Sequence, residues 1–161
     1  RGSNDRLLVI GRDMAEGYQR QAGLLDVGRQ VDFIGPVDDI FRYYSAADVC
    51  VLLSWYDACS RVVLEALRWR LPAITTWRNG AAEAVDRGAG VVLDRPAARP
   101  AAEAMRLLAD PQQRAACEAA CERQFDVLSM DRHVADLLAV YQQIRRERPA
   151  RAGSPDSGER A

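Results

Sequence analysis

Lysine is absent from this chain: all 22 basic residues are arginine. That removes Schiff-base lysine chemistry and the lysine of a phosphate-binding P-loop. Histidine occurs once, at His133, far along the chain in an expected surface helix, so a nucleophilic cysteine at Cys59 has no evident histidine partner. No apolar run approaches the roughly 18 residues of a membrane-spanning helix. No secretory apolar core follows Arg1-Gly2-Ser3-Asn4-Asp5. Four cysteines, Cys50, Cys59, Cys117 and Cys121, are too few and too scattered for a disulfide scaffold. The net charge of −1 offers no excess of positive charge to neutralise phosphates, so no nucleic-acid partner is expected. A reduced, cytoplasmic setting is expected.

What remains is an ordinary globular balance, 48% hydrophobic and 28% charged over 161 residues, enough for one domain. Short apolar runs predict strands at Arg6–Ile10, Val31–Ile34, Val49–Leu53, Pro72–Thr76 and Val91–Leu93. Val49–Leu53 is apolar on both faces, which suits the middle of a parallel sheet. Helical patterns lie between them. One runs from Asp13 to Asp26, with Asp13 as its cap. A short one, capped by Asp38, carries Ile40, Phe41, Tyr44 and Ala47 on one face. The helix from Ser60 to Arg68 is so apolar that it is expected to be largely buried, and Ala81–Asp86 makes a short helix after the Asn79-Gly80 turn.

Beyond Leu93 the pattern is purely helical. Asp110-Pro111 reads as an N-cap followed by proline at the first helical position, and Ser129 as the cap of a last helix bearing Val134, Leu137, Leu138, Tyr141 and Ile144. The segment 149–161, rich in Gly, Pro, Ser and charge, reads as a disordered tail after a domain spanning 1–148. Arginines from Arg145 to Arg151 admit a peripheral contact with an acidic membrane face, while the interleaved acids and prolines fit a solvated tail.

Alternating strands and helices predict an α/β fold: a Rossmann-like parallel sheet with helices on both faces, ending in a helical segment. Ligands in such folds bind beyond the carboxyl ends of the strands, in the connecting loops. The loop after the third strand is the richest. It runs Ser54-Trp55-Tyr56-Asp57-Ala58-Cys59 into a helix beginning near Ser60 and bearing Glu65. Backbone N–H groups at a helix N-terminus suit an anion such as a diphosphate. A carboxylate at Glu65, on so apolar a helix, is costly to bury without hydrogen-bond donors, which ribose hydroxyls would supply. The plainer reading makes Asp57 and Ser60 loop and cap residues and pairs Glu65 with an arginine.

The wording of this segment, LLSWYDACSRVVLEALRWRLPAITT, resembles the E-x7-E region of the retaining family-4 glycosyltransferases, the glycosyl transferases group 1. Three flanking pieces resemble that family in the same order: RLLVIGRD, VDFIGPVDDIFRYYSAADVCVLLS and NGAAEAVDRGAGVVL. Together they cover about residues 6–144. The resemblance implies the C-terminal, donor-binding half of a GT-B enzyme, preceded by a unit whose arginine and lysine hold the donor diphosphate. It implies that Glu65 binds the ribose and that Asp57 lies near the donor sugar. The amides around Cys59, Ser60, Arg61 and Val62 would face the sugar and distal phosphate, and the turn Gly35-Pro36-Val37 would lie near the base. The implied partner is a nucleoside diphosphate sugar, with a UDP-sugar as first expectation. A glycan or lipid-linked acceptor would be read by another domain, and peripheral membrane contact would follow. No metal or cofactor is implied, and D-x-D, the acidic motif of the metal-dependent GT-A type, does not occur.

Two departures from the family wording stand out. Asp57 shortens the first carboxylate by one methylene, and Cys59-Ser60-Arg61 replaces the commoner F-G-x, adding a Cβ where backbone approaches ligand. That wording is nearest the lipopolysaccharide-core glucosyltransferases. It also keeps open a rival reading, a catalytically inactive binding or interaction module of the same fold. Elsewhere, Cys117 and Cys121 read as small core-facing residues and not a zinc pair. Trp55 and Trp77 lie in loops where a sugar site would fall, and Trp69 reads as packing. Gly88-Ala89-Gly90 precedes a strand, so it is a turn and not a dinucleotide fingerprint.

Overall fold

The computed structural model describes residues 5–12 and 15–147, and these fall into two compact units that divide after Ala46. Asp13 and the tail 149–161 lie outside the described residues.

The first unit is a single β-α-β crossover. Strands β1 (Leu7–Ile10) and β2 (Val31–Gly35) pair in parallel, so their connection must cross over, and it does so through α1 (Ala15–Leu24) and a tight turn at Gly28–Gln30. Register runs from Leu7 opposite Val31 to Val9 opposite Phe33, then skips so that Ile10 faces Gly35. Gly35 takes up the irregularity with φ of +80°, a conformation that favours glycine. The Arg6 guanidinium pairs with the Asp32 carboxylate beside the ladder. A short helix, α2 (Phe41–Ala46), closes the unit and buries Tyr44. Asp39 meets its start: the Phe41 N–H donates to Asp39 Oδ1 at 3.2 Å. An aspartate reaches most easily to an amide two residues on, and Asp39 stands at that spacing.

The second unit holds the dense core. Three parallel strands, β3 (Cys50–Leu52), β4 (Ala73–Thr76) and β5 (Gly90–Leu93), follow one another in that order. β4 is therefore the middle strand of this three-stranded sheet, with β3, from the run that is apolar on both faces, at its edge, and every residue of β4 is buried. Alternation along the strands sends side chains to two opposed clusters. On one face Ala73, Cys50, Leu52 and Val92 pack with Val63 and Leu67 of α3 (Arg61–Arg68) and Ala120 and Cys121 of α6 (Pro111–Glu122). On the other, Ile74, Val91 and Leu93 pack with Ala104 and Leu108 of α5 (Ala98–Ala109). Helices thus cover both faces, and Cys117 and Cys121, one turn apart on α6, each serve a different cluster.

Local signals set the helix ends. Asp110 Oδ1 accepts from the Gln112 and Gln113 N–H groups, and Pro111 occupies the first helical position of α6. α3 ends in a Schellman arrangement: Leu71 N–H reaches Ala66 O and Arg70 N–H reaches Leu67 O, with Arg70 at φ of +61°. Ala81 is followed by one turn of helix, α4 (Ala82–Ala84), and then a wider turn over Val85–Ala89 that Gly88 breaks at φ of +93°. Gly90 then lies so close to β4 that a Cβ there would sit 1.9 Å from the Ala73 carbonyl oxygen.

The last helix, α7 (Met130–Glu147), departs from expectation. Ser129 Oγ accepts from the Arg132 N–H as a cap should, but none of the helix's described residues is buried. Val134, Leu137, Leu138, Tyr141 and Ile144 remain between 40% and 54% exposed. Among the described residues no helix is long and apolar enough to cross a membrane.

Candidate functional site

The loops at the carboxyl ends of β3 and β4 are zipped together. Asp57 N–H donates to Arg78 O at 3.1 Å and Gly80 N–H donates to Asp57 O at 3.0 Å, a one-residue parallel bridge between Asp57 and Asn79. Gly80 is required by the close approach, since a Cβ there would fall 2.0 Å from the Ala58 carbonyl oxygen. Asn79 lies under this contact, 1% exposed, and its Oδ1 accepts from Ser60 N–H at 3.1 Å and Ala81 N–H at 3.0 Å. Just below, the Thr76 hydroxyl donates to Ser54 O at 2.6 Å and the Thr75 hydroxyl to Leu52 O at 3.0 Å, tying the two strands together up to the loops.

From this base the chain enters α3. Ser60 is extended and buried, and its Oγ accepts from Val63 N–H at 3.4 Å, making it the N-cap. Asp57 Oδ1 accepts from Cys59 N–H at 3.1 Å, an Asx turn that brings the chain round to the helix. On α3 the inward side carries Val63, Ala66 and Leu67; Arg61 and Val62 are exposed. Glu65 lies one turn beyond Arg61, and the Arg61 guanidinium meets its carboxylate at 3.4 Å. The Glu65 side chain is 32% exposed, so the helix does not enclose it as its apolar composition implied. Position on the helix, and not composition, decides this: Glu65 falls on the margin between the buried and open faces.

The structure brings Asp57, Cys59, Ser60, Arg61, Val62 and Glu65 together along one loop and one helix start. Gly35, Pro36 and Val37 belong to the first unit, where Gly35 ends β2 and Pro36 and Val37 follow it. The plainer structural roles are also visible, since Asp57 and Ser60 turn and cap the chain and Glu65 meets an arginine. Among the amides expected to face a ligand, Cys59 N–H is engaged by Asp57 and Ser60 N–H by Asn79. Arg61 and Val62 follow the cap as the first two residues of the helix. Trp55, Tyr56 and Trp77 stand exposed around the loops at 71%, 79% and 55%, and the Arg78 guanidinium lies 4.4 Å from the Trp77 ring centroid. Asn79 was legible only as half of a turn-forming Asn-Gly pair; nothing in the local sequence says that its side chain crosses to another loop.

The thiols differ sharply. Cys59 is exposed in the loop. Burial pushes the Cys50 thiol up to about 11 and the Cys121 thiol up to about 12, so both are held protonated as core residues.

Parallel strands, helices on both faces of the second unit's sheet, and a helix start facing out from the strand ends define a Rossmann-like α/β domain of the GT-B glycosyltransferase type. The chain belongs to the glycosyl transferases group 1, whose family model matches residues 1–110. It is similar to the lipopolysaccharide glucosyltransferase WaaG of Escherichia coli strain K12, with 31% identity over 94 residues, 58% of this chain and 25% of that protein. The crystal structure of WaaG superposes with a TM-score of 0.70 at 27% identity, covering 75% of this chain and 34% of that one. A D-inositol 3-phosphate glycosyltransferase of Salinispora tropica is 30% identical over 145 residues, 84% of this chain and 30% of that protein. Anabaena Alr3699/HepE, solved with UDP-glucose, shares the fold at a TM-score of 0.69 and 22% identity over 84% of this chain and 41% of that one. The chain therefore spans between a quarter and a third of the length of the curated relatives it matches.

Proposed function

We propose that this chain is the donor-binding part of a retaining glycosyltransferase that moves a sugar from a nucleoside diphosphate sugar, a UDP-sugar first, to a glycan or lipid-linked acceptor. The observation that carries the reading is the run from Asp57 through the capped start of α3 to Glu65, all at the carboxyl end of a parallel strand. That run lies within the residues 1–110 that match the family model, its wording resembles the family's E-x7-E region, and Alr3699/HepE, of the same fold, was solved with UDP-glucose.

In this reading Glu65 accepts from the ribose hydroxyls, and Asp57 lies by the donor sugar. The start of α3 faces the diphosphate, where a helix N-terminus favours developing negative charge on the leaving group. The acceptor belongs to a further domain. Lipopolysaccharide or another cell-surface glycan is the proposed product class, with peripheral contact at the inner membrane face. The rival, an inactive binding module, is favoured by the amides already engaged at Cys59 and Ser60.

Calorimetric titration with a panel of nucleotide sugars, alongside product analysis by the longer protein, separates the two. Glu65→Ala is expected to weaken UDP and UDP-sugar together, by the roughly 1.5–3 kcal/mol of a charged hydrogen bond. Asp57→Ala is expected to depress turnover while leaving UDP less affected. Unchanged UDP affinity in a folded Glu65→Ala protein sinks the ribose assignment. The 161-residue chain alone is expected to give no turnover, because transfer needs donor and acceptor held at near-attack distance.

A further inference from the structure

We propose that Asn79 is the positioning residue of this loop pair: its buried side-chain carbonyl fixes the start of α3 in the geometry that receives a nucleoside diphosphate. The inference rests on the donor-binding reading above for its ligand, and on the geometry alone for the positioning.

Both partners of the Asn79 side chain, Ser60 and Ala81, offer backbone N–H groups, so only the amide oxygen can face them. One partner lies 19 residues back in the other loop and one lies two residues ahead in its own, so a single atom joins the two loops. On either side of it the backbone bonds between Asp57, Arg78 and Gly80 keep the register. The Ser60 hydroxyl caps α3 at 3.4 Å and the Ser60 carbonyl accepts from Leu64 N–H at 3.3 Å, both within the helix start, while the Ser60 N–H is held from the other loop by Asn79. Removing the Asn79 oxygen frees two buried N–H groups at once, a cost the loop relieves by moving. What moves is the cap residue, and with it the first turn of α3 and the Asp57 turn.

Asn79 itself is 1% exposed, so it acts through these groups and not by touching a ligand. A loop fixed before the ligand arrives spares the ordering cost of binding.

The test uses the chain with two readouts, in wild type, Asn79→Ala and Asn79→Asp. Amide hydrogen exchange without ligand is the first. In Asn79→Ala the Ser60 and Ala81 amides are expected to exchange at least tenfold faster, while the β4–β5 ladder keeps wild-type protection. Asn79→Asp retains an acceptor and is expected to restore protection at both amides. Unchanged exchange at Ser60 and Ala81 in Asn79→Ala overturns the proposal, and so does uniform acceleration across β4 and β5, which marks a merely structural role.

Titration with UDP against uridine, followed by amide shifts, is the second readout. Asn79→Ala is expected to weaken UDP about tenfold and to leave uridine unchanged. Equal UDP affinity in wild type and Asn79→Ala overturns positioning for the ligand. A wild-type chain that binds no UDP at millimolar concentration sinks the donor-binding reading and the ligand half of this proposal with it, while the exchange data still decide whether Asn79 holds the loops.

Discussion

In α3, Val63, Ala66 and Leu67 are sealed against the sheet; in α7, Val134, Leu137, Leu138, Tyr141 and Ile144 are all at least 40% exposed. Both helices carry apolar residues at three- and four-residue spacing, and sequence periodicity treats them alike. α3 follows β3 and returns into β4 through the Schellman turn, so the chain folds it back onto strands already beside it. α7 has no such return among the described residues. The same contrast separates β4, buried at every position, from β1, where Leu7, Leu8 and Val9 are 50%, 39% and 37% exposed. β4 has a strand on each side and helices over both faces; β1 has one partner strand in its unit. Periodicity states which residues prefer cover, and connectivity decides which of them receive it.

The sharpest break of this contrast comes from its tightest contact. Gly90→Ala places a methyl group 1.9 Å from the Ala73 carbonyl oxygen, against a central strand that cannot yield. The expected loss is about 3 kcal/mol or more, at the upper end of overpacking costs, read from the urea midpoint. Leu67→Ala follows, at about 2–5 kcal/mol for a cavity in a sealed cluster. The matched change in the open helix, Leu138→Ala, is expected to stay within about 0.5 kcal/mol. If Leu138→Ala costs as much as Leu67→Ala, α7 is covered in solution and the contrast fails.

A smaller effect appears with pH. Cys121 keeps its proton in the fold up to about pH 12, whereas an unfolded thiol, at an ordinary 9.0, loses it earlier. Its contribution to stability is complete below pH 9 and declines as pH rises towards 12, because the unfolded state alone gains from ionising. Urea midpoints of wild type are therefore expected to fall more steeply above pH 9 than those of Cys121→Ala; parallel slopes would show that the thiol is not sealed. The smallest change is a gain. Arg70 holds a left-handed conformation at φ of +61°, which glycine adopts freely. Arg70→Gly is expected to stabilise the chain by up to about 1 kcal/mol, less whatever the half-exposed pair with Glu122 contributes. A clear loss of stability would mean that this pair outweighs the backbone strain.

Much of this was readable locally. The strand positions, the Asp110-Pro111 helix start and the Ser60 and Ser129 caps lie where the residues implied, because each depends on neighbours within a few positions. The candidate loop was legible for the same reason: Asp57, Ser60 and Glu65 sit on one continuous segment. Three things were not. Which strand is central depends on pairing order, and within the second unit's sheet the strand that is apolar on both faces lies at an edge. The exposure of Glu65 depends on how α3 is rolled against the sheet. The engagement of the Ser60 amide depends on Asn79, 19 residues away, whose own neighbours announce only a turn.

The sequence by itself determined the alternation of strands and helices, the ends of most helices, and the segment bearing the donor-site wording, since propensity, capping and periodicity act over a few residues. Tertiary structure alone decided which apolar faces are closed and which backbone amides are already occupied. It also decided that an asparagine in one loop holds the helix start in another. Those outcomes depend on distances between residues far apart in the chain, which no local pattern encodes.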